Sequence, residues 1–141
     1  MNLIIKSATI IDAASEHHHA TKDILIENGT ITQIASSIEN VHNYDTISLE
    51  NLHVSQGWFD SSVSLGEPGF EERETIENGL KTAAKSGFTA IAVNPNANPI
   101  ADTKADIAFL KSQSFGNAVN LYPIGALTNA SKSVDLAELF D

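Results

Sequence analysis

Phe88-Thr89-Ala90-Ile91-Ala92-Val93 is apolar except at Thr89 and runs directly into Asn94-Pro95-Asn96-Ala97-Asn98-Pro99. A near-continuous apolar run of this length reads as a strand buried on both faces, as in a parallel sheet. The Asn- and Pro-rich segment behind it reads as a turn-rich loop. Before this strand, Thr75 to Ser86 carries Ile76, Leu80, Ala83 and Ala84 at helical spacing, and Gly87 stands where a helix C-terminal cap belongs. After it, Thr103 to Ser114 is a second helix, with Ile107 and Leu110 on its inner face. Ala118 to Ile124 is the next strand, and Ser133 opens a third helix with Leu136, Leu139 and Phe140 as its apolar positions. Val54 to Phe59 is a candidate first strand. This alternation is the grammar of a parallel sheet with right-handed crossovers. It predicts an α/β fold with about three β/α units over residues 57–141, too few to close a barrel.

Residues 1–56 have a different period. Leu3, Ile5 and Ala8 to Ile11 form one apolar segment, and Asp23-Ile24-Leu25-Ile26-Glu27 a second. Asn28-Gly29 separates the latter from Thr30-Ile31-Thr32-Gln33-Ile34. Both residues of that pair tolerate positive φ, so it signals a hairpin. Thr46-Ile47-Ser48-Leu49 alternates as a half-buried strand does, and Leu52-His53-Val54 is one more candidate. This half reads as an all-β segment, small to stand alone.

Composition narrows the function. The 141 residues hold 18 Asp plus Glu against 8 Lys plus Arg, a formal net charge of −10. That balance argues against nucleic acid and anionic membrane surfaces, which reward clustered cations. Without Cys there is neither a disulfide framework nor a thiolate metal site. No stretch approaches the apolar length of a membrane span, and the N-terminus lacks a signal peptide's features. These features read as a soluble, cytoplasmic protein.

In parallel α/β folds, ligands meet the C-terminal ends of strands. The informative loops are therefore 60–70, 94–99 and 125–132. The stretch Gln56-Gly57-Trp58-Phe59-Asp60-Ser61-Ser62-Val63-Ser64-Leu65-Gly66-Glu67-Pro68-Gly69 resembles the first barrel strand of dihydroorotases, members of the amidohydrolase superfamily. Glu74 to Gly79, Ala83 to Thr89, Asn94 to Pro99 and Tyr122 to Thr128 resemble later landmarks of that family, in order. The resemblance implies the N-terminal part of a zinc-dependent (β/α)8 barrel at 57–141. It implies a small β-sandwich segment at 1–56, and a natural chain that continues further. It also implies that these residues alone would be marginally stable or prone to aggregate, and that the full-length protein is an oligomer.

The resemblance fails at its chemical centre. Where the family carries the two His of a His-x-His zinc motif, this sequence has Ser62 and Ser64. A neutral hydroxyl is a poor zinc ligand beside imidazole. The family Arg that holds the substrate carboxylate is Gly66 here. No catalytic residue and no metal ligand are therefore assigned within these residues, and no cofactor is expected from them. Asn96 matches a substrate-contacting Asn, although an Asn between two prolines also serves turn chemistry. Asp60 is a candidate to steady a site from behind, or a strand-end carboxylate accepting backbone N–H groups. His17-His18-His19 contains a His-x-His spacing but lies in a polar stretch between strands, without the fixed surroundings a catalytic ion needs. His42 and His53 are isolated, and Glu71-Glu72-Arg73-Glu74 reads as a solvated helix entry.

Three functions follow. The first is a non-catalytic dihydroorotase-like protein of pyrimidine biosynthesis, of the kind that serves as a scaffold for aspartate transcarbamoylase. The second is an active zinc-dependent cyclic amidohydrolase with metal ligands beyond residue 141. The third is a binding protein on the same fold for dihydroorotate or a similar cyclic amide.

Overall fold

The structure, a computed structural model, describes residues 1–139. The chain divides into two compact units, Met1–Gln56 and Gly57–Asp141.

The first unit is a five-stranded sheet of β1 (Leu3–Ile11), β2 (Thr21–Glu27), β3 (Thr30–Ala35), β4 (Asp45–Ile47) and β5 (His53–Ser55). Strand β2 lies between β3 and β1 and is antiparallel to both. The other edge of β1 is shared: Leu3, Ile4 and Ile5 pair in parallel with β4, and Thr9, Ile10 and Ile11 with β5. Asn28 (φ 52°) and Gly29 (φ 78°) turn the β2–β3 hairpin in the left-handed region, as their identity predicts. Between Ile5 and Ala8 the β1 register shifts, and Ser7 takes φ 52°. That bulge presents the Ser7 N–H to Asp23 Oδ1 at 2.8 Å, while Ile38 N–H donates to Asp23 Oδ2 at 2.9 Å. Lys6 Nζ donates to the same carboxylate and to Ile38 O. Burial alone would raise the Asp23 carboxyl, but the Lys6 ammonium and the two backbone donors outweigh it and hold the group below its ordinary value.

The second unit carries a parallel sheet of β6 (Trp58–Val63), β7 (Phe88–Val93) and β8 (Asn120–Pro123), in that order. Helices α1 (Ile76–Lys85) and α2 (Lys104–Gln113) are the crossovers. Thr75 caps α1 by accepting the Asn78 N–H, and Thr103 caps α2 in a reciprocal box with Asp106. Gly87, at φ 88°, takes the chain from α1 to β7 as its position predicts. Ile76, Leu80, Ile91, Val93, Leu110, Val119 and Leu121 form the core between sheet and helices. Each large side chain so buried contributes about 1.5–3 kcal/mol. On the other sheet face, Phe59 and Tyr122 meet edge to face at 6.4 Å, and each is more than half exposed.

Two expectations are corrected. The candidate first strand, Val54 to Phe59, is split: Val54 belongs to β5 in the first sheet, and Trp58 and Phe59 begin β6 in the second. Gln56-Gly57 breaks the run, and the Trp58–Val63 strand takes in residues read as the start of a loop. The third helix is absent: Asn129–Ser131 form a single 3-10 turn, and residues 133–139 are not helical. Ser131 and Ser133 sit at positive φ. Asn129 N–H donates to Asp135 O, Ala137 N–H to Leu127 O, and Ser133 N–H to the Thr128 hydroxyl. Small polar residues here offer the backbone local partners that compete with a helix. Phe140 lies outside the described residues.

No described helix is long and apolar enough to cross a membrane.

Candidate functional site

The site forms where the ends of β6 and β7 meet. Val63 pairs with Val93, and the next residue, Asn94, donates its N–H to Val63 O at 2.8 Å. A register shift between Asp60 and Val63 bends β6 just before the pairing resumes. Beyond it, Asn94 Nδ2 donates to Ser62 Oγ at 3.1 Å and to Ser64 Oγ at 3.4 Å. Asn96 Nδ2 donates to Ser64 Oγ at 2.8 Å. Two serines two residues apart thus meet two asparagines two residues apart.

This arrangement decides the chemistry. Both hydroxyl oxygens already accept amide N–H groups, so their own O–H bonds remain to donate. All four side chains are neutral. Zinc requires imidazole, thiolate or carboxylate donors, and amide N–H groups directed at the two oxygens oppose a cation there. Among the described residues, no group of three or more His, Asp or Glu side chains is gathered to hold a metal ion. The residues at the strand end do not fit the zinc that the family resemblance implies.

The other predicted residues have definite places. Asp60 is half-buried, and its Oδ1 accepts the Ser62 N–H at 3.0 Å, which stiffens the bend in β6. Gly66 is buried; a Cβ there would stand 2.0 Å from Phe70 O and 2.9 Å from Glu74 O. Its N–H donates to Glu74 O and its carbonyl accepts from Phe70 N–H, so the loop folds tightly on itself. No side chain fits at this position without movement of the backbone. Glu67 Oε2 accepts the Ile76 N–H at 2.8 Å at the start of α1. Pro68 O accepts the Asn98 N–H at 2.8 Å, and Gly69, at φ 93°, lets Asn98 approach closely. Glu67-Pro68-Gly69 therefore ties the first loop to α1 and to the second loop. In the entry to α1, Glu71 accepts the Gly69 N–H, which together with its own backbone N–H holds its carboxyl below the ordinary value. Arg73 lies 4.4 Å from the Phe70 ring centroid and beside Glu72.

In the first unit, His18 Nδ1 accepts the Asp12 N–H, and its ring stacks on His19 at 3.7 Å. His17 is 4.0 Å from Glu16. His53 Nδ1 lies 2.7 Å from Asn51 O, and His42 packs near Tyr44.

The residue that sequence reasoning overlooked is Asn94. Its signal was present: it shares with Asn96 the two-residue spacing that Ser62 shares with Ser64, and period two places side chains on one face of extended chain.

Solved structures place this architecture among the amidohydrolase (β/α)8 barrels. The L-hydantoinase (dihydropyrimidinase) of Arthrobacter aurescens superposes with a TM-score of 0.77 at 22% identity, covering 90% of this chain and 28% of that one. A dihydroorotase structure gives a TM-score of 0.64 at 13% identity, over 92% of this chain and 32% of its own. Residues 53–140 match the family described as dihydro-orotase-like. The dihydroorotase of Pelotomaculum thermopropionicum is 40% identical across the whole chain, and that of Acetivibrio thermocellus 38% across 97% of it. The chain belongs to the dihydroorotase-like family of the amidohydrolase superfamily. It spans about a third of the length of these curated relatives, 33% and 32% respectively.

Proposed function

We propose that this chain serves pyrimidine biosynthesis as a dihydroorotase-like protein without hydrolytic activity, acting as a scaffold for aspartate transcarbamoylase. Membership of the family supports the pathway. The observation that carries the loss of catalysis is the Ser62–Ser64–Asn94–Asn96 cluster, neutral and internally bonded where the family resemblance implies a zinc-binding His pair. The crowded backbone at Gly66 supports it from a second position, where the resemblance implies the arginine for the substrate carboxylate. Loss of metal ligands and anchor, with the surrounding α/β architecture kept, fits a role that needs the protein's surface rather than its chemistry.

The test is dihydroorotate hydrolysis by the full natural chain with zinc supplied. No turnover is expected. Turnover with stoichiometric, tightly held zinc would mean a metal site built from residues other than Ser62 and Ser64, and an active cyclic amidohydrolase. The scaffold role predicts co-elution with aspartate transcarbamoylase of the same organism in metal-free buffer. Separate elution at micromolar concentrations of both would remove it.

A further inference from the structure

We propose that the strand-end cluster is a metal-independent binding site that selects an uncharged cyclic amide over its carboxylate-bearing counterpart. The inference rests on the metal-free reading of Ser62 and Ser64 and concerns what that site accepts. Four neutral side chains make it, and their recorded hydrogen bonds run only among themselves: Asn94 to Ser62 and Ser64, and Asn96 to Ser64. Those bonds use the amide N–H groups as donors and the hydroxyl oxygens as acceptors. What remains is two hydroxyl O–H donors, one Asn96 N–H donor, and the side-chain carbonyls of Asn94 and Asn96 as acceptors. Mixed donors and acceptors match a ring amide, whose carbonyl accepts and whose N–H donates. A carboxylate only accepts, and it would face two amide carbonyl oxygens.

Charge selection comes from the surroundings. The position the resemblance gives to a carboxylate-binding arginine is Gly66, where even a Cβ would lie 2.0 Å from a backbone oxygen. Arg73, on the same loop, is stacked on Phe70 with Glu72 beside it, and Lys81 is paired with Glu77. The carboxylate of Asp60 joins the cluster's own strand through the Ser62 N–H. An anionic ligand would therefore exchange water for a neutral site with a carboxylate close by. An uncharged ring meets no such cost.

The experiment is isothermal titration of the full natural chain, treated with EDTA, with 5,6-dihydrouracil and separately with dihydroorotate. Dihydrouracil is expected to bind at least about tenfold more tightly, a difference of about 1.4 kcal/mol. Asn96→Asp keeps the shape and adds a negative charge; it should weaken dihydrouracil about tenfold without changing the melting temperature of the free protein. Ser64→Ala is the second variant and should weaken it in the same direction. Equal or tighter binding of dihydroorotate would overturn the proposal. So would binding by neither ring up to about 10 mM, or binding that EDTA abolishes. Hydrolysis of either ring would defeat the non-catalytic reading yet leave the order of affinities standing, so the two failures are distinguishable.

Discussion

The two polar clusters of this chain are built on opposite terms. In the first unit, Lys6 and Asp23 are oppositely charged, and every bond serves the β1 bulge: the carboxylate takes the Ser7 and Ile38 N–H groups and the Lys6 ammonium. Asp23 is only 3% exposed, so its charge is secured by partners rather than by water. At the β6–β7 strand ends, four neutral side chains bond to one another, and Ser62, Ser64 and Asn96 are exposed. A saturated buried network holds a fold. An exposed one with donors and acceptors to spare costs little to keep and is free to meet a ligand.

The sharpest way to break this comparison lies between the two clusters, at Gly66. If the strand-end loop is fixed by packing, Gly66→Arg must open it, because the first side-chain atom already collides with Phe70 O and Glu74 O. The expected loss is roughly 3 kcal/mol or more, read by urea denaturation of the full natural chain. A loss under about 1 kcal/mol would show that the loop adapts. The arginine would then be absent for reasons other than the fold.

Asp23→Asn tests the charged cluster. It leaves Lys6 facing a neutral group and should cost roughly 2–3 kcal/mol at neutral pH. The pH dependence carries a definite sign. The Asp23 carboxyl is held below its ordinary value in the folded protein, so its contribution is complete above the ordinary carboxylate range of about 4 and is lost as pH falls through the lowered folded value. The gap in melting temperature between wild type and Asp23→Asn should therefore close below about pH 4. A gap that stays constant down to pH 3 would mean that Asp23 contributes shape and not charge.

How far the sequence reveals each cluster follows from the distance over which its residues are specified. The caps at Thr75 and Thr103 and the Asn28-Gly29 turn are local, and they stand where the residues alone place them. The Ser62/Ser64 pair is legible because period two is a property of one strand. Asn94 is harder, since its role appears only when β7 is set beside β6. The Lys6–Asp23 clasp depends on a bulge that no local pattern announces. Gly66 reads as a missing side chain, whereas the backbone that forbids one arrives from Phe70 and Glu74. The third helix fails for the converse reason: apolar spacing at Leu136 and Leu139 is a weak signal against Ser131 and Ser133 in left-handed conformations.

A smaller effect is expected at the α2 entry, where Asp106 accepts the Thr103 N–H at 3.1 Å and completes the capping box. Asp106→Ala should cost about 1 kcal/mol by removing that bond and a favourable charge at the helix N-terminus. Urea denaturation reads it, and a loss above about 2 kcal/mol would mean that α2 leans on its cap more than on Leu110 and the core.

The smallest effect belongs to the strand-end cluster itself, and its smallness is the informative part. Ser62→Ala removes a hydroxyl that accepts one amide N–H at 3.1 Å in an exposed position. Water can take over that amide proton, so the net loss should stay below about 0.5 kcal/mol. Asn94 also reaches Ser64, though at 3.4 Å, so the cluster keeps a second tie between β6 and β7. Backbone pairing of Val63 with Val93 is untouched by either change. If Ser62→Ala instead costs as much as Asp23→Asn, the cluster is a structural clasp like its counterpart in the first unit. Its free donors would then be incidental to function. If the cost is near zero while binding of an uncharged cyclic amide weakens, the hydroxyl serves the ligand and not the fold.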